Sequence, residues 1–372
     1  MENESSIDLQ GLACPVPLPH TKQVVMGHGS GGRMTHDLIQ KVFLPHFSNP
    51  SLLAGNDAAA LNFQAVTGTS PNEIETRKIP QIAVSTDSHV VWPLFFPGGD
   101  IGRLAVCGTV NDVAMLGATP LYLTAAFILE EGLPMETLEQ VVHSMGMAAE
   151  EAGVHLIAGD TKVVQRGKAD GLYINTAGIG IIPAGIMIGG ARATPGDVVI
   201  LSGPVGDHGI AVLSARGELG FEAEIISDIS PLNHLVKSML AVSGEDASPI
   251  HTLRDPTRGG LATTLNEIAR QSQVNILIYE EKIPVRPAVR AACEMLGFDP
   301  LYVANEGKLV AIVSPQAAEA TLDVMRRTHY GEEAVIIGEV REATAGRVLM
   351  KTAIGGTRIV DILAGEMLPR IC

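Results

Sequence analysis

Apolar segments of strand length alternate with helical segments along the first half of this 372-residue chain, and few folds accommodate that order. The clearest helix is predicted over 134–153, where apolar residues recur at helical spacing between Pro134 and Gly153, favoured start and stop residues. Segment 102–116 predicts a second helix, packed by small residues. A buried strand is predicted over 82–91, and further strands are predicted over 121–129, 154–160 and 172–182. This order indicates an α/β or α+β domain that extends to about residue 184.

A second unit follows, in which strands and helices again alternate, and it opens with the apolar segment 195–203. Helices are predicted near 208–217, 231–242, 260–272 and 316–328, and strands near 274–279, 309–313, 335–339 and 347–351. The chain therefore divides into an irregular leader over 1–23, an N-terminal α/β domain over 24–184, a C-terminal α+β domain over 185–352, and a flexible tail over 353–372.

Charge and cysteine content argue against several classes of function. The chain carries 41 acidic residues against 26 Lys and Arg, a formal net charge of −15, which disfavours nucleic acid or an anionic membrane as the main partner. The longest apolar run, near 177–191, is interrupted by Gly and Pro, so no membrane span is predicted. Four cysteines without C-x-x-C spacing favour neither a zinc site nor a disulfide framework. With its polar, acidic start, the sequence predicts a cytoplasmic protein.

Acidic residues recur where predicted strands and turns end. Asp57, Asp87, Asp112 and Asp160 all occupy such positions. Carboxylate oxygens are the ligands that Mg²⁺ prefers, commonly shared with substrate phosphates, so the set predicts a metal site. Each acid alone is equally typical of a helix cap or a turn. Glu306, just before another predicted strand, is interpreted as a base, a metal ligand or a solvated turn residue.

Three short motifs offer groups that bind phosphate. GHGSGG (27–32) provides unobstructed backbone N–H groups ahead of a predicted helix, although most glycine clusters are simple turns. GDTK (159–162) joins an acid, a hydroxyl and Lys162, which can neutralise a transferring phosphoryl group unless it is an ordinary surface lysine. DPTRGG (255–260) puts Arg258 at a helix start, suited to phosphate or carboxylate.

The chain ends on Cys372, a thiol at a position where termini are usually frayed and chemically dispensable. A glycine-bearing tail of this length spans roughly 20–25 Å as a coil, enough to carry a group on sulfur into a distant pocket. A chance terminal residue is the alternative. Cys107 and Cys293 lie inside apolar helical patterns and are predicted to be small core residues.

As a set, the motifs resemble the HypE family of hydrogenase maturation factors, within the ATP-using PurM-like proteins. The resemblance runs from about residue 24 to the last residue and rests on STDSHVV, PLFFPGGDIG, LAVCGTVNDVAM, FILEEGLPMETL, GDTKVVQRG, INTAGIG, GDHG, DPTRGG, ANEGKLV and PRIC. It implies a two-domain architecture that dimerises through the strands of the N-terminal domain and binds ATP at the domain junction.

The resemblance also implies a function. In that family the terminal cysteine receives a carbamoyl group from a HypF-type carbamoyltransferase, and the S-carbamoyl group is then dehydrated to S-cyanide at the expense of ATP. The cyanide passes to iron on a HypC–HypD complex, for the nickel–iron hydrogenase active site. Cys372 would be the carrier in this chain.

Further roles follow from the same resemblance, residue by residue. Binding of Mg²⁺ and nucleotide phosphates is implied for Asp57, Asp87, Asp112 and Asp160. Binding of the nucleotide is implied for His28, Gly29, Ser30, Gly31, Gly32, Asn111, Thr161 and Arg258. Lys162 would contact the transferred phosphoryl group, and Asp112 or Glu306 would remove a proton or orient the carbamoyl nitrogen.

Two other functions stay open on the sequence. Another PurM-like enzyme, of the selenophosphate synthetase or small-molecule kinase type, would not need Cys372. A non-catalytic thiol scaffold for hydrogenase maturation factors would show no ATP turnover dependent on Asp112 and Lys162. In the leader, the segment around Cys14 is similar to the GL-x-CP-x-P signature of small sulfur carriers, but it is too short to predict a carrier domain.

Overall fold

Two large sheets and the helices packed on them organise the protein. The structure, a computed structural model, describes residues 23–47, 49–61, 80–217, 225–242, 249–342, 346–363 and 371–372. Its strands are β1 (Ala59–Leu61), β2 (Gln81–His89), β3 (Phe95–Phe96), β4 (Gly99–Asp100), β5 (Thr119–Glu130), β6 (His155–Val164), β7 (Leu172–Ile182), β8 (Val198–Leu201), β9 (Ile250–Arg254), β10 (Asn275–Tyr279), β11 (Val310–Val313), β12 (Val335–Arg341), β13 (Val348–Lys351) and β14 (Thr357–Val360).

The helices follow in the same order. They are α1 (Arg33–Leu38), α2 (Leu44–Phe47), α3 (Pro50–Leu53), α4 (Ile101–Ala114), α5 (Met135–Ala152), α6 (Asp207–Ala215), α7 (Asn233–Leu240), α8 (Gly260–Ser272), α9 (Pro287–Leu296) and α10 (Ala318–Arg327), with a π-helical turn over Ile39–Phe43. None of the helices in the described ranges is long and apolar enough to cross a membrane.

The first sheet has the strand order β1-β2-β7-β5-β6, in which β5 and β6 are parallel and the other neighbours antiparallel. Helix α4 is buried almost throughout because it packs closely on β7. A Cβ atom added at Gly178 would lie 2.8 Å from Thr109 Cγ2, and one at Gly180 would lie 2.5 Å from Val113 Cγ1. Because both glycines lack a Cβ atom, α4 can pack close to the backbone of β7. This close packing fixes the position of the C-terminal turns of α4.

The second sheet has the order β14-β13-β10-β12-β8-β11-β9 and is covered on both faces. One apolar core, containing Leu261, Leu265 and Ile268, lies between the sheet and α8. A second core, containing Leu235 and Met325, lies between the opposite face, α7 and α10. All neighbouring strands of this sheet pair antiparallel except β10 and β13, and this mostly antiparallel pairing gives the domain its α+β character.

The two domains are joined through the side-chain amide of Asn111, near the end of α4. Its Nδ2 donates to the carbonyl oxygens of Ser230 at 3.0 Å and Glu306 at 3.4 Å, and its Oδ1 accepts from the Leu232 N–H at 2.8 Å. The side chain is 1% exposed, so water cannot replace these partners. The buried amide therefore fixes the segments before α7 and before β11 against α4.

Strand β6 is exposed along almost its whole length, although it is ten residues long and partly apolar. Ile157 and Val163 are 56% and 68% exposed. On the face of the first sheet that α4 and α5 do not cover, Ile128 is also exposed. A long, exposed, apolar edge strand is a pairing and packing hazard that proteins normally cover.

The predicted fold class, α/β plus α+β, is confirmed, and most predicted elements form. Helix 134–153 is observed as α5, with Pro134 at its N-cap and Gly153 in the left-handed region at φ 70°. Cys107 and Cys293 are buried core residues, as predicted. The elements that were not predicted include β9, α9 and β14, together with the short elements β1, β3, β4 and α3. The leader over 1–23, including Cys14, lies outside the described residues except for residue 23.

The predicted start of the tail at residue 353 is too early, because β14 pairs antiparallel with β13 and extends the second sheet. Two glycines of the predicted tail form the hairpin turn between β13 and β14. Gly355 has φ +89°, and the Thr352 N–H donates to the Gly356 carbonyl oxygen at 2.9 Å. Residues 364–370 lie outside the described residues.

We expect Asn111→Ala to lower the free energy of unfolding by about 3 kcal/mol, because it leaves three buried backbone groups of the C-terminal domain without partners. Urea unfolding without nucleotide measures the change. Asn275→Ala is the matched control, since the Asn275 side chain accepts an exposed bond from the Arg347 N–H within one domain. An equal loss in both variants would contradict the role assigned to Asn111.

Candidate active site at the domain junction

The last two residues of the chain lie in the junction between the domains. The Ile371 carbonyl oxygen lies 2.8 Å from His208 Nε2, and the Ile371 side chain is 2% exposed. Cys372 packs against the apolar core of the N-terminal domain. Its thiol lies beside the Glu306 carboxyl group and within electrostatic reach of Arg258 and Asp87. The terminal sulfur is thus placed among charged groups from both domains.

Among the described residues, carboxyl groups from several separate segments gather around this position. Asp87 lies on β2 and Asp112 on α4, while Asp57, Asp255 and Glu306 precede β1, follow β9 and precede β11. The Asp87 side chain lies on the face of β2 that α4 covers: a Cβ added at Gly108 would be 3.5 Å from Asp87 Oδ2 and 4.0 Å from Glu306 Oε2. The fold therefore brings together acids that are far apart in sequence.

Burial and mutual repulsion raise the pKa values of these acids. Burial raises the pKa of Asp112 well above its usual range, and the carboxylates of Asp255, Asp87 and Asp57 raise it further, while the hydrogen bond from Ser85 Oγ at 2.7 Å opposes them. Burial, assisted by Asp57, raises the pKa of Asp255 to about 8. Burial followed by repulsion from Asp87 likewise raises the pKa of Glu306 well above its usual range. The site is short of positive charge.

Arg254 supplies one of the opposing charges. Its guanidinium group donates to Asp57 Oδ1 and to the Gly55 carbonyl oxygen, so β9 is tied to the loop before β1. Burial nevertheless raises the pKa of Asp57, because desolvation outweighs the attraction to Arg254. The ion pair thus holds a predicted metal ligand in place across the domain boundary.

The described residues suit a metal that is shared with phosphate rather than one enclosed by protein. Among the residues that the structure describes, no group of three or more His, Cys, Asp or Glu side chains is close enough to hold a metal ion alone. The acids nevertheless repel one another through space, which marks a place where a cation would be stabilised. Mg²⁺ typically uses one or two carboxylates, substrate phosphates and retained waters, and the donor set fits that mode.

Burial raises the pKa of the Cys372 thiol well above its usual range, and Glu306 and Asp87 add to the effect, although Arg258 opposes it. The docked sulfur is therefore held as a neutral thiol. Since the thiolate is the nucleophile, the unmodified cysteine is unreactive in this position.

The predicted phosphate-binding loops lie against each other beside Cys372. Arg258 Nη1 donates to the Gly29 carbonyl oxygen at 2.9 Å, and Gly31, at φ +74°, would bring a Cβ to 2.9 Å from the Arg258 carbonyl oxygen. In the same loop, His28 Nδ1 accepts from the Val25 N–H at 3.0 Å, and Ser30 Oγ donates to the Gly27 carbonyl oxygen at 2.8 Å. A Cβ at Gly32 would lie 2.5 Å from the Leu363 carbonyl oxygen. GHGSGG and DPTRGG therefore form one continuous surface.

The GDTK residues do not join this group within one chain. Through β7 and β5, Asp87 shares a row of the first sheet with Gly159, three strands and about 14 Å away. Because side chains alternate along a strand, Asp160 points to the opposite face from Asp87. Asp160 is exposed, and its carboxylate accepts hydrogen bonds from Lys162 Nζ at 2.6 and 2.7 Å and from the Thr161 N–H at 2.9 Å. Four aspartates were expected to converge on one site. Within one chain, the structure brings together Asp57, Asp87 and Asp112, and it does not bring Asp160 to them.

Some residues of the site were not predicted from the sequence. Asp255 lies in DPTRGG, in which Arg258 was predicted as a site residue, and His208 lies in GDHG. Arg254 precedes Asp255 in β9, a strand that was not predicted. His89, at 1% exposure, has its Nε2 3.3 Å from Thr176 Oγ1 and 3.6 Å from Asp87 Oδ2. For Asp255 and His208, the signal available in the sequence was an acid or a histidine inside a motif that supports the family resemblance.

Comparison with known proteins agrees with the fold. Residues 55–182 match the family model for the N-terminal domain of AIR synthase related proteins, and residues 194–351 match the model for their C-terminal domain. These matches cover most of both sheets and place the fold among the AIR synthase related proteins.

More closely related proteins narrow the class. The chain is 54% identical to the carbamoyl dehydratase HypE of Cupriavidus necator over 350 residues, 94% of this chain and 95% of that protein. A solved HypE–HypF complex matches with a TM-score of 0.79 at 49% identity, over 88% of this chain and 99% of that chain. A solved hydrogenase maturation protein HypE in complex with ATP matches with a TM-score of 0.74 at 52% identity, over 94% and 100%. The chain belongs to the HypE family of carbamoyl dehydratases, which confirms the resemblance drawn from its motifs.

The raised pKa of Asp255 has a consequence for stability. An acid whose pKa is higher in the folded than in the unfolded state destabilises the fold progressively as pH rises, here from about pH 4 to about pH 8. We expect Asp255→Asn to raise the melting temperature relative to the unchanged protein at pH 8, and the difference to shrink towards pH 5. Thermal unfolding without nucleotide or metal across this range measures it.

Asp323→Asn is the matched control, because Asp323 is exposed on α10 and pairs with Arg327 at 3.7 Å. No pH-dependent gain is expected there. A variant Asp255→Asn that is less stable than the unchanged protein at pH 8 would show that Asp255 carries no charge-repulsion cost.

Proposed function

We propose that this chain uses ATP to dehydrate a carbamoyl group on the Cys372 sulfur, converting S–C(=O)NH₂ to S–C≡N. The observation that carries the proposal is the docking of Cys372 between Glu306, Asp87 and Arg258 at the domain junction. The related HypE in complex with ATP supports nucleotide binding here. A small-molecule kinase or a selenophosphate synthetase has no need to bury its own terminal thiol in such a site.

The chemistry explains the need for ATP. Oxygen is a poor leaving group from an amide-like carbon, so direct loss of water is slow. Transfer of the γ-phosphoryl group to the carbamoyl oxygen breaks the bond between the γ-phosphorus and its bridging oxygen and releases ADP. Cleavage of the C–O bond then expels phosphate as both N–H protons leave and C≡N forms. The overall balance is thiocarbamate plus ATP giving thiocyanate, ADP, phosphate and one proton.

Glu306 is the residue best placed to accept a proton from the carbamoyl nitrogen. It lies beside the sulfur, whereas Asp112 is engaged by Ser85. Its raised pKa makes its carboxylate a stronger base than that of an exposed glutamate. We therefore assign proton removal to Glu306 and an electrostatic role to Asp112.

The remaining groups hold the phosphates and position the reacting atoms. Arg258 and the adjoining GHGSGG loop would bind the phosphate oxygens, as their contact beside Cys372 suggests. Asp57, Asp87, Asp112 and Asp255 would hold Mg²⁺, whose chemistry when bound is to neutralise phosphate charge. Catalysis would consist mainly of positioning and charge neutralisation.

The docked thiol is too weakly ionised to attack a carbamoyl donor, so loading requires the tail outside the site. We propose that a HypF-type carbamoyltransferase loads Cys372 there, in keeping with the solved HypE–HypF complex. After dehydration, the cyanide would pass to iron on a HypC–HypD complex during maturation of the nickel–iron hydrogenase.

We further propose that the chain is a homodimer formed through the first sheet. The exposed apolar strand β6 and the uncovered face of the sheet need a partner surface, and a second copy supplies the same surface. Asp160, Thr161 and Lys162 lie on that strand, remote from their own Cys372. In the dimer they would serve the nucleotide site from across the contact.

Intact mass spectrometry tests the proposed reaction. With HypF, carbamoyl phosphate and ATP, we expect an adduct of about +43 Da on Cys372, followed by a loss of about 18 Da as water, the formula masses of the groups in the covalent scheme. With ATP withheld after loading, the first adduct should persist.

Cys372→Ala is the control and should show neither mass change. Glu306→Gln should retain the +43 Da adduct and dehydrate at least tenfold more slowly, because the base is lost. Persistence of the adduct in the unchanged protein with ATP present would refute the mechanism.

Ile128→Asp should convert the proposed dimer to a monomer, because it buries a charge in the contact. Light scattering coupled to size exclusion measures the mass. Ile354→Asp is the matched control, since Ile354 is 96% exposed at the turn between β13 and β14. A monomeric unchanged protein, or a dimeric Ile128→Asp variant, would rule out this contact.

A further inference from the structure

His208, near the start of α6, is a fully buried histidine whose two ring nitrogens both have defined partners. Nε2 lies 2.8 Å from the Ile371 carbonyl oxygen, and Nδ1 lies 2.9 Å from Ser227 Oγ. The Phe96 ring packs edge-on against the imidazole with 5.6 Å between the ring centroids. Three contacts from three segments therefore fix the orientation of the ring.

The partners also determine which nitrogen carries the proton. A carbonyl oxygen is an acceptor only, so Nε2 must donate its N–H to Ile371. Burial lowers the pKa of His208, which favours the neutral ring, and Nδ1 then accepts from the Ser227 hydroxyl. Ser227 Oγ in turn accepts from the Ile229 N–H at 3.2 Å. The donor that meets the tail is thus set by the protein and is ready before the tail arrives.

We infer that His208 is the positioning residue that holds the terminal cysteine in its reactive position, an inference that rests on the proposed function. The contact is made to the peptide group that joins Ile371 to Cys372. Because that peptide is planar, fixing its carbonyl oxygen leaves few rotations between the contact and the sulfur. The contact does not involve the sulfur, so it holds thiol, thiocarbamate and thiocyanate in the same place beside Glu306.

The fraction of undocked tail can be measured without any catalysis. Iodoacetamide at pH 8 alkylates Cys372 only when the thiol is outside the site, so the rate reports opening. Cleavage after Glu366 yields a terminal peptide, Met367 to Cys372, that isolates this cysteine from the other three. Unfolding in urea gives the rate for a free tail.

Three substitutions separate the donor from the packing of the ring. His208→Leu removes the donor, and His208→Asn has an amide too short to reach Ile371. For both we expect alkylation of Cys372 about tenfold faster, the effect of losing a buried hydrogen bond of about 1.4 kcal/mol. His208→Gln carries an N–H₂ group at the distance of Nε2, and its rate should stay within about threefold of the unchanged protein. His234→Leu, which removes a histidine contact to the Glu151 carbonyl oxygen, should change nothing.

Single-turnover dehydration of carbamoylated protein provides a second readout. His208→Leu and His208→Asn should slow the step about tenfold, with rescue by His208→Gln. Alkylation rates in His208→Asn equal to those of the unchanged protein, with the fold intact by circular dichroism, would overturn the inference. So would equal rates for His208→Gln and His208→Asn. Because alkylation is measured without ATP or carbamoyl donor, failure of the proposed reaction leaves this test intact and distinguishable.

Discussion

Burial of negative charge at the domain junction is the constraint on which the site depends. Asp112, Asp255 and Glu306 are all held away from water, and each has its pKa raised by burial and by its neighbours. Arg254 and Arg258 offset part of this charge. Such an arrangement costs stability in the free protein, and a functional site is where that cost is tolerated. Its form matches a ligand that brings a cation with it, as a magnesium nucleotide does.

The fold could be predicted from the sequence where local signals were strong. Helix α5 could be predicted because apolar residues recur at helical spacing between Pro134 and Gly153. The longer strands of the first sheet could be predicted from their apolar runs. Strand β14 lies within the predicted flexible tail, although Gly355 and Gly356 form a hairpin turn that pairs β14 with β13. Two adjacent glycines can form a hairpin turn or a flexible segment, and the outcome depends on whether a neighbouring strand is available for pairing. That neighbour is not encoded in the local sequence.

The site was predictable as a list of residues but not as an arrangement. Asp57, Asp87 and Asp112 were identified by their positions at strand and turn ends, and they do gather with Cys372. Asp160 had an equally good signal, yet its place on β6 directs it to the opposite face of the sheet. Sheet order and side-chain alternation decide that outcome, and both depend on long-range pairing. The inferred role of His208 depends on its contact with the backbone carbonyl oxygen of Ile371. Every residue has such a carbonyl group, so the identity of the partner residue gives no signal in the sequence.

The proposed reaction would place two opposing demands on the chain terminus, and the contacts of Ile371 suit both. The proposed dehydration needs the sulfur inside a site screened from water, whereas the proposed loading needs it outside as a reactive thiolate. Burial of the Ile371 side chain contributes about 2–3 kcal/mol and the bond from His208 about 1.4 kcal/mol. Ordering the backbone of Ile371 and Cys372 costs about 2–4 kcal/mol, so the two sets of terms nearly cancel. A small net free energy of docking would let the terminus leave for the proposed loading step and return, and the fixed histidine would direct it to one position.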